Sequence, residues 1–243
     1  MEFTLQLGQN RFGVTANHPS TRDYCTGFLT DGPGEYRVTL TQSDIEYERV
    51  KAAREDAIEG LPEREYSDAY LETLALLRKV TEALLDKDTI LFHGSVIAVD
   101  GVAYLFTAKS GTGKSTHTRL WREMLGERAV MVNDDKPFLQ ITPEGVIAWG
   151  SPWMGKHRLG CNMQAPLRAI CILERGAENR IRRIEPKDAV HMLLQQSSRP
   201  RNPAKLPQYL DLIDWLSQKV AFYRLQCNME PEAAKVAFEG MKE

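Results

Sequence analysis

The sequence predicts an α/β domain in which helices pack on a mostly buried sheet. Three observations carry that expectation. Apolar, β-branched runs at Thr89–Val99, Val102–Thr107, Ala129–Val132 and Leu167–Leu173 have the length and composition of buried strands. Stretches with helical spacing alternate with them, as at Tyr70, Leu71, Leu74, Leu77, Leu84 and Leu85. One strand also runs through a glycine-rich stretch, residues 108–113, into a helix beginning near Lys114.

Taken in order, Phe3–Leu7 alternates with period two, and Asp31-Gly32-Pro33-Gly34 is a turn before a second alternating run, Tyr36–Leu40. Ser43-x-x-Glu46 has the spacing of a capping box, and the helix it opens stops at Gly60-Leu61-Pro62. A second helix spans Ser67–Leu85. Asp100-Gly101 is a hairpin signal between the strands on either side of it. The strand Ala129–Val132 ends at Asn133-Asp134-Asp135, and Ile181–Ile184 reads as the neighbour of Leu167–Leu173. Helices follow at Lys187–Gln196, Tyr209–Lys219 and Glu232–Met241. With no repeat or low-complexity linker, the expectation is one domain over 1–243: N-terminal strands and helix (1–66), a core (67–175), and a strand and helical C-terminal part (176–243).

The 243 residues carry 31 basic and 33 acidic side chains, a net charge of −2, so nothing general attracts nucleic acid or an anionic membrane. Arg182-Arg183 and Arg199-x-Arg201 are too short to argue otherwise. Cys25, Cys161, Cys171 and Cys227 are too sparse for a disulfide scaffold. His157 and Cys161 lack two further ligands at zinc spacing. No signal peptide and no apolar membrane-spanning run is visible, so a soluble, cytoplasmic protein is expected.

Ser110-Gly111-Thr112-Gly113-Lys114-Ser115-Thr116 is the core of a Walker A loop, set between a strand and a helix as that motif requires. Glycines let backbone N–H groups converge on phosphate oxygens, and the helix start adds positive potential. Lys114 would meet the β- and γ-phosphates and the Ser115 hydroxyl would ligate Mg²⁺. The usual pattern begins with a glycine at the position of Ala108, which predicts a modified loop. His93, on the preceding strand, and Asp134-Asp135, at the end of the next, are the residues that can add chemistry. One carboxylate can accept a proton while another organises metal, and adjacent residues on an extended backbone point to opposite sides. Lys156, His157 and Arg158 form a basic cluster able to meet a transferring phosphate or an acidic acceptor.

At these residues the chain resembles the HPr kinase/phosphorylase family, within the phosphoenolpyruvate-carboxykinase-like group of P-loop proteins. The resemblance is carried by His93-Gly94, the hairpin, Ser110-Gly111-x-Gly113-Lys114-Ser115 and Asp134-Asp135. Gly150-Ser151-Pro152-Trp153-x-Gly155-Lys156 and Ala165-Pro166-Leu167 look like segments of HPr-kinase-like proteins outside the regulatory enzyme proper. The resemblance implies a P-loop sheet domain of the HPr-kinase C-terminal type, with added N-terminal strands and C-terminal helices. It implies a Mg-ATP-dependent kinase acting on a hydroxyl, foremost a serine of a small protein or peptide, and assembly as a homo-oligomer. By motif, Asp135 would be the base, Asp134 its partner and a metal ligand with Ser115, and His93 and Lys114 catalytic residues. Where regulatory members carry a metal-holding glutamate, this chain has Gly145–Gly150 without a carboxylate, so phosphorylation of HPr itself and phosphorolysis are not implied. The alternatives are a kinase for a free amino acid or sugar and a non-catalytic nucleotide-binding regulator.

Overall fold

Residues 1–62, 64–109 and 111–242 are described by a computed structural model, a mixed α/β fold. Residue contacts divide the chain into two compact units, Met1–Ala83 and Leu84–Glu243.

In the first unit, alternation buries Leu5 and Leu7 on one face of strand β1 (Glu2–Leu7), which turns at Gly8 into the antiparallel β2 (Asn10–Thr15). Helix α1 (Pro19–Tyr24) follows, then β3 (Leu29–Thr30) and β4 (Tyr36–Thr39), giving the strand order β3-β1-β2-β4. Helix α2 (Gln42–Glu59) ends at Gly60, whose φ of 67° is the left-handed conformation that suits a glycine cap. The capping box at its start is Thr41 with Asp44, two residues ahead of the Ser43–Glu46 box that the spacing suggests. The reason is the chain's exit from β4: Thr41 is still extended, so its hydroxyl can reach back to the Asp44 amide, whereas Ser43 is already inside the helix. Helix α3 (Asp68–Leu85) starts within a residue of the predicted boundary.

On α3, Glu72 is fully buried, and its carboxylate accepts from the Asn17 amide and side chain (both 2.8 Å), the His18 amide (3.0 Å) and the Thr21 hydroxyl. These bonds secure the start of α1 to α3. Burial acts to raise the Glu72 carboxyl, but the four donors outweigh it and hold it below the ordinary glutamate value.

The second unit is a curled mixed sheet. Strand β5 (Thr89–Leu91) and strand β6 (Ser95–Val99) replace the single strand predicted over Thr89–Val99. The break has a physical cause. Between them the amides of Phe92, His93 and Gly94 bond to Pro137, Gln196 and Asp135 carbonyls rather than along one ladder. A β-carbon on Gly94 would also lie 3.0 Å from both Leu105 Cδ2 and the Phe106 carbonyl. The Asp100-Gly101 hairpin joins β6 to β7 (Val102–Thr107) as expected. Helix α4 (Lys114–Leu125) leads to β8 (Ala129–Asn133), then β9 (Phe138–Ile141) and β10 (Val146–Trp149).

Strand β11 (Gln164–Arg175) is the spine, antiparallel to β10 and parallel to β7. It is also parallel to β13 (Ala221–Cys227), which intervenes between β11 and β12 (Arg180–Ile184). Ile181–Ile184 is therefore one strand removed from the neighbour predicted for it. Helices α5 (Pro186–Gln196), α6 (Leu206–Lys219) and α7 (Glu232–Met241) complete the unit.

Strand alternation decides which helices cover which face. Val96, Ala98, Leu105, Ile170 and Ile172 pack with Leu193, Leu212 and Leu216 of α5 and α6. The intervening Ile97, Val99, Phe106, Cys171 and Leu173 pack with Trp121 of α4 and Phe238 of α7. Among the described residues, no helix is long and apolar enough to cross a membrane.

The Glu72 cluster is testable. Glu72→Ala strands four donors, among them the buried Thr21 hydroxyl, and should destabilise the first unit by about 2–4 kcal/mol in denaturant titration, the scale for losing hydrogen bonds to a buried charge. A change below about 0.5 kcal/mol, the range of surface substitutions, would show that the cluster is not what holds α1.

Candidate active site

The site lies where β7 hands the chain to α4. Ala108, in the position where a glycine is usual, is fully buried in the apolar cluster with Phe106 and Trp121, so its methyl group belongs to the core. The turn that follows is closed by the Thr112 amide and hydroxyl, which donate to the Lys109 carbonyl at 3.2 and 2.8 Å. Gly111 and Gly113 have φ of 75° and 121°, values that side-chain-bearing residues rarely adopt. A β-carbon at either would meet no atom within 4 Å, so the space in front of the loop is open. Arg175, at the end of β11, donates to the Gly111 carbonyl at 2.6 Å and anchors the loop from behind. Ser110 lies outside the described residues.

In front of the loop is a cleft of about 670 Å³. The structure brings Gly111, Gly113, Lys114, Ser115 and Thr116 to it from the loop and helix start, His93 from the β5–β6 break, and Asp134 and Asp135 from beyond β8. Lys156 and His157 reach it from the loop after β10. Among the described residues, Thr112 and Arg158 are not in its lining. Thr112 faces a second cleft, of about 470 Å³, with Lys109 and Arg175. Two cations absent from the sequence-level expectation also line the main cleft: Arg119 and Arg122, one and two turns along α4. Their spacing of three places both on the helix face above Ser115, a signal present in the sequence but ordinary on any exposed helix.

The two aspartates face different partners. His93 Nε2 lies 3.3 Å from Asp135 Oδ1. Burial acts to raise the Asp135 carboxyl, but the His93 hydrogen bond and the charges of Lys136 and Lys114 outweigh it, so it sits below the ordinary aspartate value. Asp134 Oδ1 accepts the Gly155 amide at 2.7 Å. Burial lifts the Asp134 carboxyl above its ordinary value against the opposing pull of the Gly155 and Leu159 amides. Lys114 is lowered by burial, with the nearby Asp135 charge opposing and Lys136 adding to the effect.

Behind both aspartates is Asn133, fully buried, whose Oδ1 accepts the amides of Asp135 (2.8 Å) and Lys136 (2.6 Å) and whose Nδ2 donates to Ser151. Among the described residues, no three His, Cys, Asp or Glu side chains converge as a ready metal-ligand set.

No family model matches the chain. No curated protein matches it. Among solved structures it is similar to the HPr(Ser) kinase/phosphatase from Coxiella burnetii, with 11% identity and a TM-score of 0.34, over 63% of this chain and 99% of that one. A likeness of that size bears on neither the site nor its chemistry.

One turn into α4, His117 is buried and accepts the Trp121 indole N–H at its Nε2 (3.1 Å). Burial pushes its imidazole down to about 4, from an ordinary 6.5. The unfolded chain therefore binds the proton more tightly, and stability falls as pH drops from 6.5 toward 4, by at most about 1.4 kcal/mol per pH unit. His117→Gln can still accept from Trp121 and should show a shallower loss over this window in denaturant titrations at stepped pH. Parallel curves for the two proteins would mean that His117 titrates alike folded and unfolded.

Proposed function

We propose that this protein is a Mg-ATP-dependent kinase transferring the γ-phosphate to a hydroxyl, foremost a serine of a protein or peptide. The observation that carries the reading is the meeting, in one cleft, of an open glycine loop, the Lys114–Ser115 helix start and the His93–Asp135 pair. The residues present suit a nucleotide. The open face of Gly111 and Gly113 leaves room for phosphate oxygens against backbone amides, and the first amides of α4 have no intrahelical partner.

Lys114 would hold the β- and γ-phosphates, with Arg119 and Arg122 adding charge along α4. Ser115 would supply one hydroxyl ligand to Mg²⁺, an ion that takes one or two protein ligands and completes its shell with phosphate and water. Bound Mg-ATP supplies the activated phosphoryl group.

In transfer, the acceptor hydroxyl oxygen bonds to the γ-phosphorus, its proton passes to the Asp135 carboxylate, and the bond from the γ-phosphorus to the bridging oxygen breaks to leave ADP. A lowered Asp135 is ionised and ready at neutral pH, and a loose transition state asks little basicity of it. His93 would keep that carboxylate aimed. Lys156 and His157 are exposed at the cleft wall, which favours an acceptor too large to be enclosed over a free metabolite.

Incubation of the protein with γ-labelled Mg-ATP and a cell extract should produce acid-stable, base-labile phosphoserine. Asp135→Asn should lower that transfer by roughly 10²–10⁴, the scale of general-base catalysis, with Mg-ATP affinity by calorimetry within about threefold. Full turnover in this variant would refute Asp135 as base, and label confined to small metabolites would favour a free small-molecule acceptor. Lys114→Ala should lose most Mg-ATP affinity, since one buried charge-assisted phosphate contact is worth about 1.5–3 kcal/mol. Unchanged affinity in Lys114→Ala would show that the loop does not hold the nucleotide.

A further inference from the structure

We propose that Asp134 is a positioning residue that pins the loop Gly155–Leu159 against the end of β8, and is neither a base nor a metal ligand. The inference deepens the proposed kinase reading, because that loop carries Lys156 and His157 into the cleft wall.

The argument begins with the backbone. Asp134 follows the last residue of β8, and its own carbonyl accepts the buried Ser95 hydroxyl at 2.9 Å, which fixes the main chain there. Its side chain is nearly sealed from solvent, at 5% exposure for the residue. Oδ1 accepts the Gly155 amide at 2.7 Å, and the Leu159 amide also donates to the carboxylate. The loop between those two amides is a single tight turn: the Arg158 amide donates to the Gly155 carbonyl at 2.8 Å, and Arg158 has a φ of 47°. One carboxylate thus closes the turn at both ends.

Gly155 adds an independent sign of fit. A β-carbon there would lie 3.1 Å from Asp134 Oδ2 and 3.4 Å from Cγ, so the carboxylate lies against the bare glycine backbone. Past the turn, the chain stays tied to the same strand. Gly160 bridges to Asn133, and the Cys161 amide donates to the Val132 carbonyl at 3.2 Å. Asp134 therefore continues, with its side chain, the seam that β8 makes with its backbone. Asp135, the next residue in the bend, takes a different partner, His93.

A carboxylate used in this way can be replaced by a carboxamide, whose oxygen accepts the same amides, whereas a base is lost by that change and a metal ligand is weakened by the loss of its charge. The test is amide hydrogen exchange of the peptide covering residues 153–161 in the full chain, read by mass spectrometry, with Mg²⁺ titrations of ATP binding alongside. Asp134→Ala should speed exchange at the 155 and 159 amides at least tenfold. Asp134→Asn should restore protection to within about threefold of the parent and keep the Mg²⁺ dependence of ATP binding within about threefold.

Gly155→Ala, which pushes the carboxylate off the turn, should loosen the same amides even if Asp134→Ala does not fold. Unchanged exchange in both Asp134→Ala and Gly155→Ala overturns the proposal. So does a tenfold or greater loss of Mg²⁺ dependence in Asp134→Asn, the mark of a metal ligand. If the parent protein binds no Mg-ATP, the kinase reading fails, while the exchange measurements still decide the role of Asp134.

Discussion

The buried side chain of Asn133 is the constraint on which the site depends. Its oxygen takes the amides of Asp135 and Lys136, and its nitrogen reaches the Ser151 carbonyl and hydroxyl, each at 3.0 Å. An amide is the one side chain of this size with two acceptor lone pairs and two donors set back to back. Its orientation is forced, because backbone N–H groups need an acceptor and a carbonyl needs a donor. The Ser151 hydroxyl then donates onward to the Lys136 carbonyl at 2.6 Å and closes the ring. In a dry interior each of these groups would cost about 1–3 kcal/mol if left unpaired. The turn after β8 is thus locked to the chain leaving β10, and the two aspartates inherit their directions from that lock.

Much of this was legible in the residues, and the parts that were not have identifiable reasons. Positive φ at a glycine is a local demand, so Gly60, Gly101, Gly111 and Gly113 marked their turns from sequence. Apolar runs of Val, Ile and Leu announced β6, β7, β8 and β11. Strands β9 and β10 are only four residues each and carry no pattern long enough to read, and β13 mixes Arg224 and Gln226 into its run. Ile181–Ile184 was recognisable as a strand, yet its partner was not, because pairing is set by which chain fills the gap beside β11. The interruption at 92–94 likewise depends on carbonyls of Asp135, Pro137 and Gln196, distant in sequence.

At the site the same division holds. The loop glycines, Lys114 and Ser115 could be named as candidates because the phosphate-loop pattern consists of those residue types at that spacing. Ala108 was legible as a departure that modifies the loop without abolishing it, and what could not be read is where its side chain goes. Its methyl group faces the core beside Phe106, and the glycine requirement falls on Gly111 and Gly113, where the backbone turns left-handed. The hydrogen-bonding burden of Asp134 was hidden, since its partners lie on a loop more than twenty residues away. His93 was singled out by its nearness to the loop and by its place in the resemblance, and the geometry supplies its partner.

The unlike partners of the two aspartates also bear on the electrostatics of the cleft they both line. In the proposed kinase reading, a polyanion in the cleft gains from Lys114, Arg119, Arg122 and Lys156, and every carboxylate lining the same space subtracts from that gain. Two adjacent carboxylates both facing a terminal phosphate would repel it and each other. Their partners separate them: backbone amides hold Asp134, while His93 and Lys114 offset Asp135. In that reading Asp135 is the negative group that would accept the proton, while the charge of Asp134 is offset by the amides of the loop it holds. The tandem Asp134-Asp135, two carboxylates that on sequence divide the labour, thus acquires unlike partners because the chain bends there, not because it stays extended, and Asn133 fixes the bend.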